Sequence, residues 1–328
     1  MPSRTAGVHA LSGSPAGQYR AGARVLSLFA SPLNALVVRA LAEEPLRLAE
    51  LRERVGGPAQ TTLRGYLCDL VDLGVVARVE KRAMPYSVSR ELTPEGQELL
   101  FVVDILERWL AETPQGEIKL GTEPAKAAIK ALTDGWGSAI LRALAAQPLS
   151  LTELDEMIAD VSYPALERRL SIMRITGQIE AVPSSGNGTP YTITDWARRS
   201  IAPLSAAGRW ERLHLAEEAG PVTWVEVEAA FLMALPLVEL PEDAEGECVL
   251  AADTKEEDKR IAGVHIVIER GEVVSADAEL KSEPPTFALG AAPAWLDAVI
   301  EGQLSGLHIR GDKKLVTSLV QGLHGALF

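Results

Sequence analysis

The chain has 328 residues, 47% of them hydrophobic and 23% charged, with a formal net charge of −13; this suits two or three globular domains and excludes a disordered or fibrous chain. No apolar run reaches the roughly 18 residues of a membrane span, the N-terminus has no apolar stretch of signal-peptide length, and the two distant cysteines, Cys68 and Cys248, fit reduced cytoplasmic thiols. Residues 1–220 sum to about −2 and residues 221–328 to about −11, so acidity weighs against nucleic acid only in the last third.

Residues 1–20, rich in Gly, Ser and Pro, read as a flexible tail. In "NALVVRALAEE" the apolar residues Leu36, Val37, Ala40 and Leu41 have helical spacing, and Pro45 stops the helix. Leu48, Leu51 and Val55 mark a second short helix, ended by Gly56, Gly57 and Pro58. Leu63, Leu67, Leu70 and Val71 mark a third, which Gly74 terminates. "VVARVE", "KRAMP" and "YSVS" read as strand, turn and returning strand; Thr93 then caps the long helix of "LTPEGQELLFVVDILERWLAE". The order helix, helix, helix, hairpin, helix over 21–115 predicts a winged helix-turn-helix, whose third helix enters a major groove while the hairpin tip lies along the backbone.

Sliding the chain by 103 residues lays 37–79 on 140–182 without a gap, and 14 of those 43 positions are identical. They include Arg39/Arg142, Pro45/Pro148, Glu50/Glu153, Leu63/Leu166, Leu67/Leu170 and Gly74/Gly177. So long a period indicates a duplicated domain rather than a solenoid repeat. The second copy, over 121–218, follows the same plan. Its hairpin tip, "PSSGNGTP", reads as two residues longer, and Pro203 interrupts its closing helix, "DWARRSIAPLSAAGRWERLHLAEE".

Both copies resemble the HxlR-type winged-helix regulators. The second supplies Trp136, "ILRAL", "PLSLTEL", Ser162, Leu166, Arg169, Leu170, Gly177 and "YTIT". The first keeps "PLRLAEL", Leu63, Leu67, Gly74 and Tyr86, with Leu33, Ala59 and Tyr66 where Trp, Ser and Arg are expected. The lysine of that family's third helix is Thr61 in one copy and Pro164 in the other. The resemblance implies DNA binding and a homodimer reading two half-sites about one helical turn apart. Two copies in one chain predict a pseudo-dimer, with a homodimer as a further possibility. Leu99, Leu100, Val103, Leu106 and Trp109 would face Leu204, Trp210 and Leu213 across the seam.

The residue types suited to DNA are Gln60, Thr61, Thr62, Arg64 and Tyr66 on the first third helix and Ser162, Tyr163, Arg168 and Arg169 on the second. Gln and Arg bond base edges bidentately, and hydroxyls bond phosphates. Arg78, Lys81 and Arg82 make the first wing basic; the second has no charge and offers only Asn187 and backbone amides. A helix bearing two or three arginines is as often a plain solvated face, and Asp69, Asp72 and Glu167 would repel phosphate.

In residues 219–328, Thr223 and Glu226 are spaced as a capping box before an apolar helix, Val227 to Leu235. Strand "ECVLAAD", two strands around Arg270–Gly271, strand "PTFALG", helix "AAPAWLDAVIEGQL", strand "GLHIRGD" and helix "KKLVTSLVQGLHGAL" follow. This is an α+β pattern. The hairpin "RGEVVSADAEL", the helix "AWLDAVIEGQL" and "SGLHIRGD" resemble the sterol carrier protein type 2 domain. That resemblance implies a hydrophobic tunnel between sheet and helices, lined by Trp224, Phe231, Leu235, His265, Phe287 and Trp295; packing alone also accounts for Phe231 and Leu235.

The five histidines are scattered, no metal-ligand spacing is present, and neither a Walker A, a G-x-G-x-x-G nor a G-x-S-x-G motif occurs. The expectation is an α+β chain of two winged helix-turn-helix domains and a sterol-carrier-like domain: a cytoplasmic, non-enzymatic, cofactor-free regulator of double-stranded DNA that senses a hydrophobic small molecule and contacts no membrane. A constitutive regulator whose last domain dimerises, and a lipid carrier whose winged helices bind protein, are the alternatives.

Overall fold

The computed structural model describes residues 11–12, 21–81, 86–133, 137–159, 161–184, 188–216, 219, 222–254, 260–280 and 284–328. After a two-residue strand, β1 (Leu11–Ser12), helix α1 (Ala23–Phe29) buries Val25, Leu26 and Phe29. Helix α2 (Pro32–Glu43) starts on Pro32, whose missing N–H would have no helical partner anyway. Strand β2 (Leu46–Arg47) precedes α3 (Leu48–Arg54) and α4 (Gln60–Asp72). The turn between these helices needs Gly56 and Gly57, at φ 89° and 70°. Strands β3 (Val76–Lys81) and β4 (Ser87–Leu92) form a hairpin, β2 adds to the far side of β4, and α5 (Pro94–Ala111) closes the run.

The same order returns. Helices α6 (Glu123–Thr133), α7 (Gly137–Ala146) and α8 (Leu151–Met157) are followed by β5 (Ile158–Ala159), which pairs in parallel with β1. Helix α9 (Tyr163–Ile175) leads to the hairpin of β6 (Ile179–Ala181) and β7 (Tyr191–Ile193), then α10 (Asp195–Arg199) and α11 (Ile201–His214). Leu149 bridges Tyr191 as Leu46 pairs with Arg90. The Thr93 hydroxyl donates to Gly74 O at 2.6 Å and accepts from Gly96 N–H; Thr194 does the same with Gly177 O at 2.8 Å and Ala197 N–H.

Two details depart from the sequence reading. The second hairpin is two residues shorter between matching ends (Ile179 opposite Ile193, Val76 opposite Leu92), and its strands pair at three positions where those of the first pair at six. The closing helix breaks at Ser200, three residues before Pro203, whose ring cannot donate the next helical hydrogen bond.

Helices α5 and α11 pack together, with Leu99, Val103, Leu106 and Leu204 buried. Trp109 and Trp196 stack with centroids 4.5 Å apart and planes within 1°. Trp109 Nε1–H donates to Trp196 O at 2.8 Å, and Trp210 Nε1–H donates to Glu95 O at 2.9 Å. An offset of 101 residues, that of Thr93 and Thr194, carries Trp109 onto Trp210 and Glu95 onto Trp196. One contact is thus made twice with the roles exchanged. Leu213 is 58% exposed and lies outside this seam, contrary to expectation, because it points away from the packed face of α11. Glu211, buried on α11, accepts from Gly22 N–H at 2.8 Å and Val25 N–H at 2.9 Å, satisfying orphan donors at the start of α1.

The last run contains α12 (Trp224–Ala234), a 3₁₀ turn at Leu235–Leu237, β8 (Gly246–Asp253), β9 (Ile261–Glu269), β10 (Glu272–Asp277), β11 (Thr286–Ala291), α13 (Ala292–Glu301), β12 (His308–Arg310) and α14 (Lys313–Leu327). The sheet order is β10-β9-β8-β11-β12; β8 and β11 are parallel, the other neighbours antiparallel. Arg270 and Gly271, at φ 49° and 78°, make the tight turn between β9 and β10. Phe231, Leu235, Val264, Ile266, Val316, Leu319 and Val320 belong to the core that joins this sheet to its helices.

Helix α12 also packs on α7. There Arg142 Nε donates to Glu228 at 2.5 Å, and its guanidinium sits 5.2 Å from the Trp224 ring centroid. The matching Arg39 is paired instead with Asp104 and Glu107 of α5, at 2.5 and 2.7 Å. On α11 the matching positions are Ser205 and Gly208, so Arg142 finds its acid on α12.

Candidate nucleic-acid interface

Helix α4 buries Leu63, Leu67 and Leu70 and turns Gln60, Thr61, Thr62 and Arg64 to solvent; Tyr66 is half-buried against the core. Beside it, Arg78 on β3 stands directly opposite Arg90 on β4. Like charges so placed repel. Arg90 is held below the usual arginine range by burial first, then by the nearby charges of Arg78 and Arg64. Three guanidinium groups therefore share the corner where helix and hairpin meet. Arg78 is ion-paired to Glu80 at 2.7 Å, whereas Arg64 and Arg90 have no ion-pair partner among the described residues. Lys81 ends β3; Arg82 lies outside the described residues.

Spacing did not single out Arg90. Tyr86, the tyrosine of the resemblance in the first copy, lies before β4, 58% exposed. Arg90 occupies the place of Tyr191: the one faces Arg78, the other Ala181, in the same register. Aligning the two copies through Thr93 and Thr194 would have found it.

On the second copy, Ser162 precedes α9 without a side-chain cap, Tyr163 is 45% exposed and Arg168 is exposed. Arg169 is half-buried, with a long 3.4 Å contact to Ala165 O one turn back. Trp136 and Asn187 lie outside the described residues.

A cavity of about 130 Å³ lies between α11, α12, α13 and α14. Leu204 and Gly208 come from α11, Phe231 and Ala234 from α12, Trp295 and Val299 from α13, Leu323 and Leu327 from α14, with Ser205 and Glu226 as polar wall. Phe231 meets Trp295 edge to face at 5.1 Å, and Trp295 Nε1–H donates to Ala251 O at 2.7 Å. Of the six residues expected to line a tunnel, the structure brings Phe231 and Trp295 to this cavity. Trp224 lies under Arg142, Leu235 is fully buried in the core, Phe287 is half-buried on β11, and His265 is buried with Nε2 3.2 Å from Glu247. The wall from α11 was not foreseen, because it comes from the other side of a segment boundary.

Among the described residues no cluster of three His, Cys, Asp or Glu side chains is arranged to hold a metal, and no single helix is long and apolar enough to cross a membrane.

Residues 31–117 match the family described as HxlR-like helix-turn-helix, a match that runs from Ser31 through α5 and contains the Arg64, Arg78 and Arg90 corner. It supports a DNA-binding, transcription-regulating helix-turn-helix in this part of the chain. No curated protein matches the chain.

Proposed function

We propose that this chain is a DNA-binding transcriptional regulator whose two winged helix-turn-helix units, 21–115 and 121–218, pack as a pseudo-dimer, and whose sterol-carrier-like segment, 219–328, takes a small apolar ligand. The observation that carries the reading is the corner of Arg64, Arg78 and Arg90 beside the exposed first turn of α4, inside the matched helix-turn-helix. Guanidinium groups beside an exposed helix, two of them without an ion-pair partner among the described residues, suit phosphate contacts, with Gln60, Thr61, Thr62 and Arg64 at base edges, Tyr66 behind them and Lys81 and Arg82 on the backbone. Ser162, Tyr163, Arg168 and Arg169 are the corresponding candidates on α9. The reciprocal tryptophan contacts support the pseudo-dimer.

The cavity supports the ligand reading, and its size narrows the ligand. An apolar space near 150 Å³ holds about one benzene ring. At about 130 Å³, a single-ring aromatic or short branched alkyl compound fits where a sterol does not. Since α11 supplies one wall and also packs on α5, an occupied cavity bears on the seam. Such a switch requires different ligand affinity in the two seam arrangements.

Retardation of duplex DNA from the region upstream of the chain's own reading frame, with and without single-ring aromatic compounds, tests both parts. Binding that no compound alters would remove the sensor; absence of binding at low salt would remove the regulator.

A further inference from the structure

Resting on that reading, we infer that the two units are unequal toward DNA. The first carries the phosphate-binding face; the second has lost it and serves as packing partner and as the seat of the third segment.

The two units correspond residue by residue: Leu63 and Leu166 are both buried on the third helix, and the hairpins share a register. Arg64 is replaced by exposed Glu167, Arg78 by Ala181 and Arg90 by Tyr191. The corner that holds three cations in one unit holds none in the other, and gains a carboxylate. Arg52 and Arg54 of α3 become Asp155 and Met157 of α8, a helix with Glu153, Asp155, Glu156 and no cation. Lys81 of the wing becomes Ser184. One exchange runs the other way: Asp69 and Asp72, which would repel phosphate, become Ile172 and Ile175, 42% and 70% exposed, but these supply no cation in place of those lost.

The cations that α9 does carry sit elsewhere. Arg169 is half-buried along its own helix, Arg174 lies in the last turn, where it complements the helix dipole, and Arg168 follows Glu167. A recognition helix contacts bases with its N-terminal residues, and that end of α9 is Tyr163–Pro164. The second unit has other work: α7 seats α12 through Arg142 and Glu228, and α11 walls the cavity.

The test is salt-dependent binding of a fluorescein-labelled mixed-sequence duplex of about 30 bp, roughly three turns, read by anisotropy with the full chain. Phosphate contacts are independent of sequence, and each one removed lowers the log–log salt slope by about one. Two variants remove three positive charges each: R64Q/R78Q/R90Q and R168Q/R169Q/R174Q. We expect the first to lower the slope by about three, at the limit of detection near physiological salt, and the second by less than about one. R64K/R78K/R90K keeps the charges and should keep the slope. Equal losses in the two neutralised variants, or loss in the lysine variant as well, would overturn the inequality while leaving a DNA-binding chain. Absence of duplex binding by the unaltered chain would sink the inequality and the regulator together.

Discussion

Substitution of Glu228 by Leu should be among the most damaging single changes in the chain. Its side chain is fully buried, and that of Arg142 is 17% exposed. The two are held at 2.5 Å, with the Trp224 ring on the guanidinium. Removing the carboxylate strands a nearly buried cation, which costs about 3–5 kcal/mol, whereas replacing both partners by apolar side chains of similar volume is often neutral or stabilising. E228L should therefore lose about 3–5 kcal/mol, and R142M/E228L should recover most of it, a coupling of about 3 kcal/mol. Urea unfolding followed by tryptophan fluorescence reads this directly, because Trp224 is part of the contact. If E228L costs under about 1 kcal/mol, or if the double variant is as unstable as the single ones summed, then the pair does not hold α12 on α7 as described.

Three further outcomes follow from other contacts. Burial raises the Glu211 carboxyl above its ordinary value of 4.5, against the lowering effect of the backbone N–H groups it accepts from. The folded state then holds that proton more tightly than the unfolded one, so its contribution is complete at low pH and is lost as pH rises past the carboxylate range; melting curves of E211Q should lack this part of the pH dependence, and identical profiles would refute it. Of the two thiols, Cys68 is exposed on α4, and Cys248 is buried and pushed up to about 12; a disulfide reagent at neutral pH should titrate Cys68 alone until the chain unfolds, and two fast equivalents would contradict the burial. Trp109→Ala removes a ring of α5 that stacks on Trp196 of α10 and donates to its carbonyl, and should cost about 3–5 kcal/mol in the melt, while L213A at the exposed end of α11 should be nearly silent.

Helices α2 to α5, α7 to α9 and α12 to α14, and the strands of both hairpins and of the last sheet, were legible because apolar spacing, proline stops and glycine caps agree along the chain. Gly74 and Gly177 end α4 and α9 at φ 72° and 76°, as their positions in the repeat suggested. Helices α1 and α6 were missed although Ala125, Ala128, Ile129 and Leu132 have textually clear helical spacing; both lie ahead of the duplicated stretch that anchored the reading, and alanine marks an apolar face weakly. Arg64 could be picked from helix phase alone. Arg90 could not, since its partner Arg78 is set by hairpin register, and register depends on both strands at once. Residue type does not separate a wall from a filled core: Phe231 and Trp295 line the cavity, while Leu235 is fully buried outside its wall. Gly208 and Ser205, the small residues that leave room, come from α11 and carry no such signature.

The paired tryptophan contacts bind two look-alike halves that share one gene and one peptide backbone. In an assembly of identical subunits every codon change appears on both sides of the axis at once, so a loss on one face is a loss on its mate. Here a change at Glu167 or Ala181 touches one half and spares the other. The fused arrangement can therefore keep its symmetric clasp while the remaining surfaces drift toward separate duties.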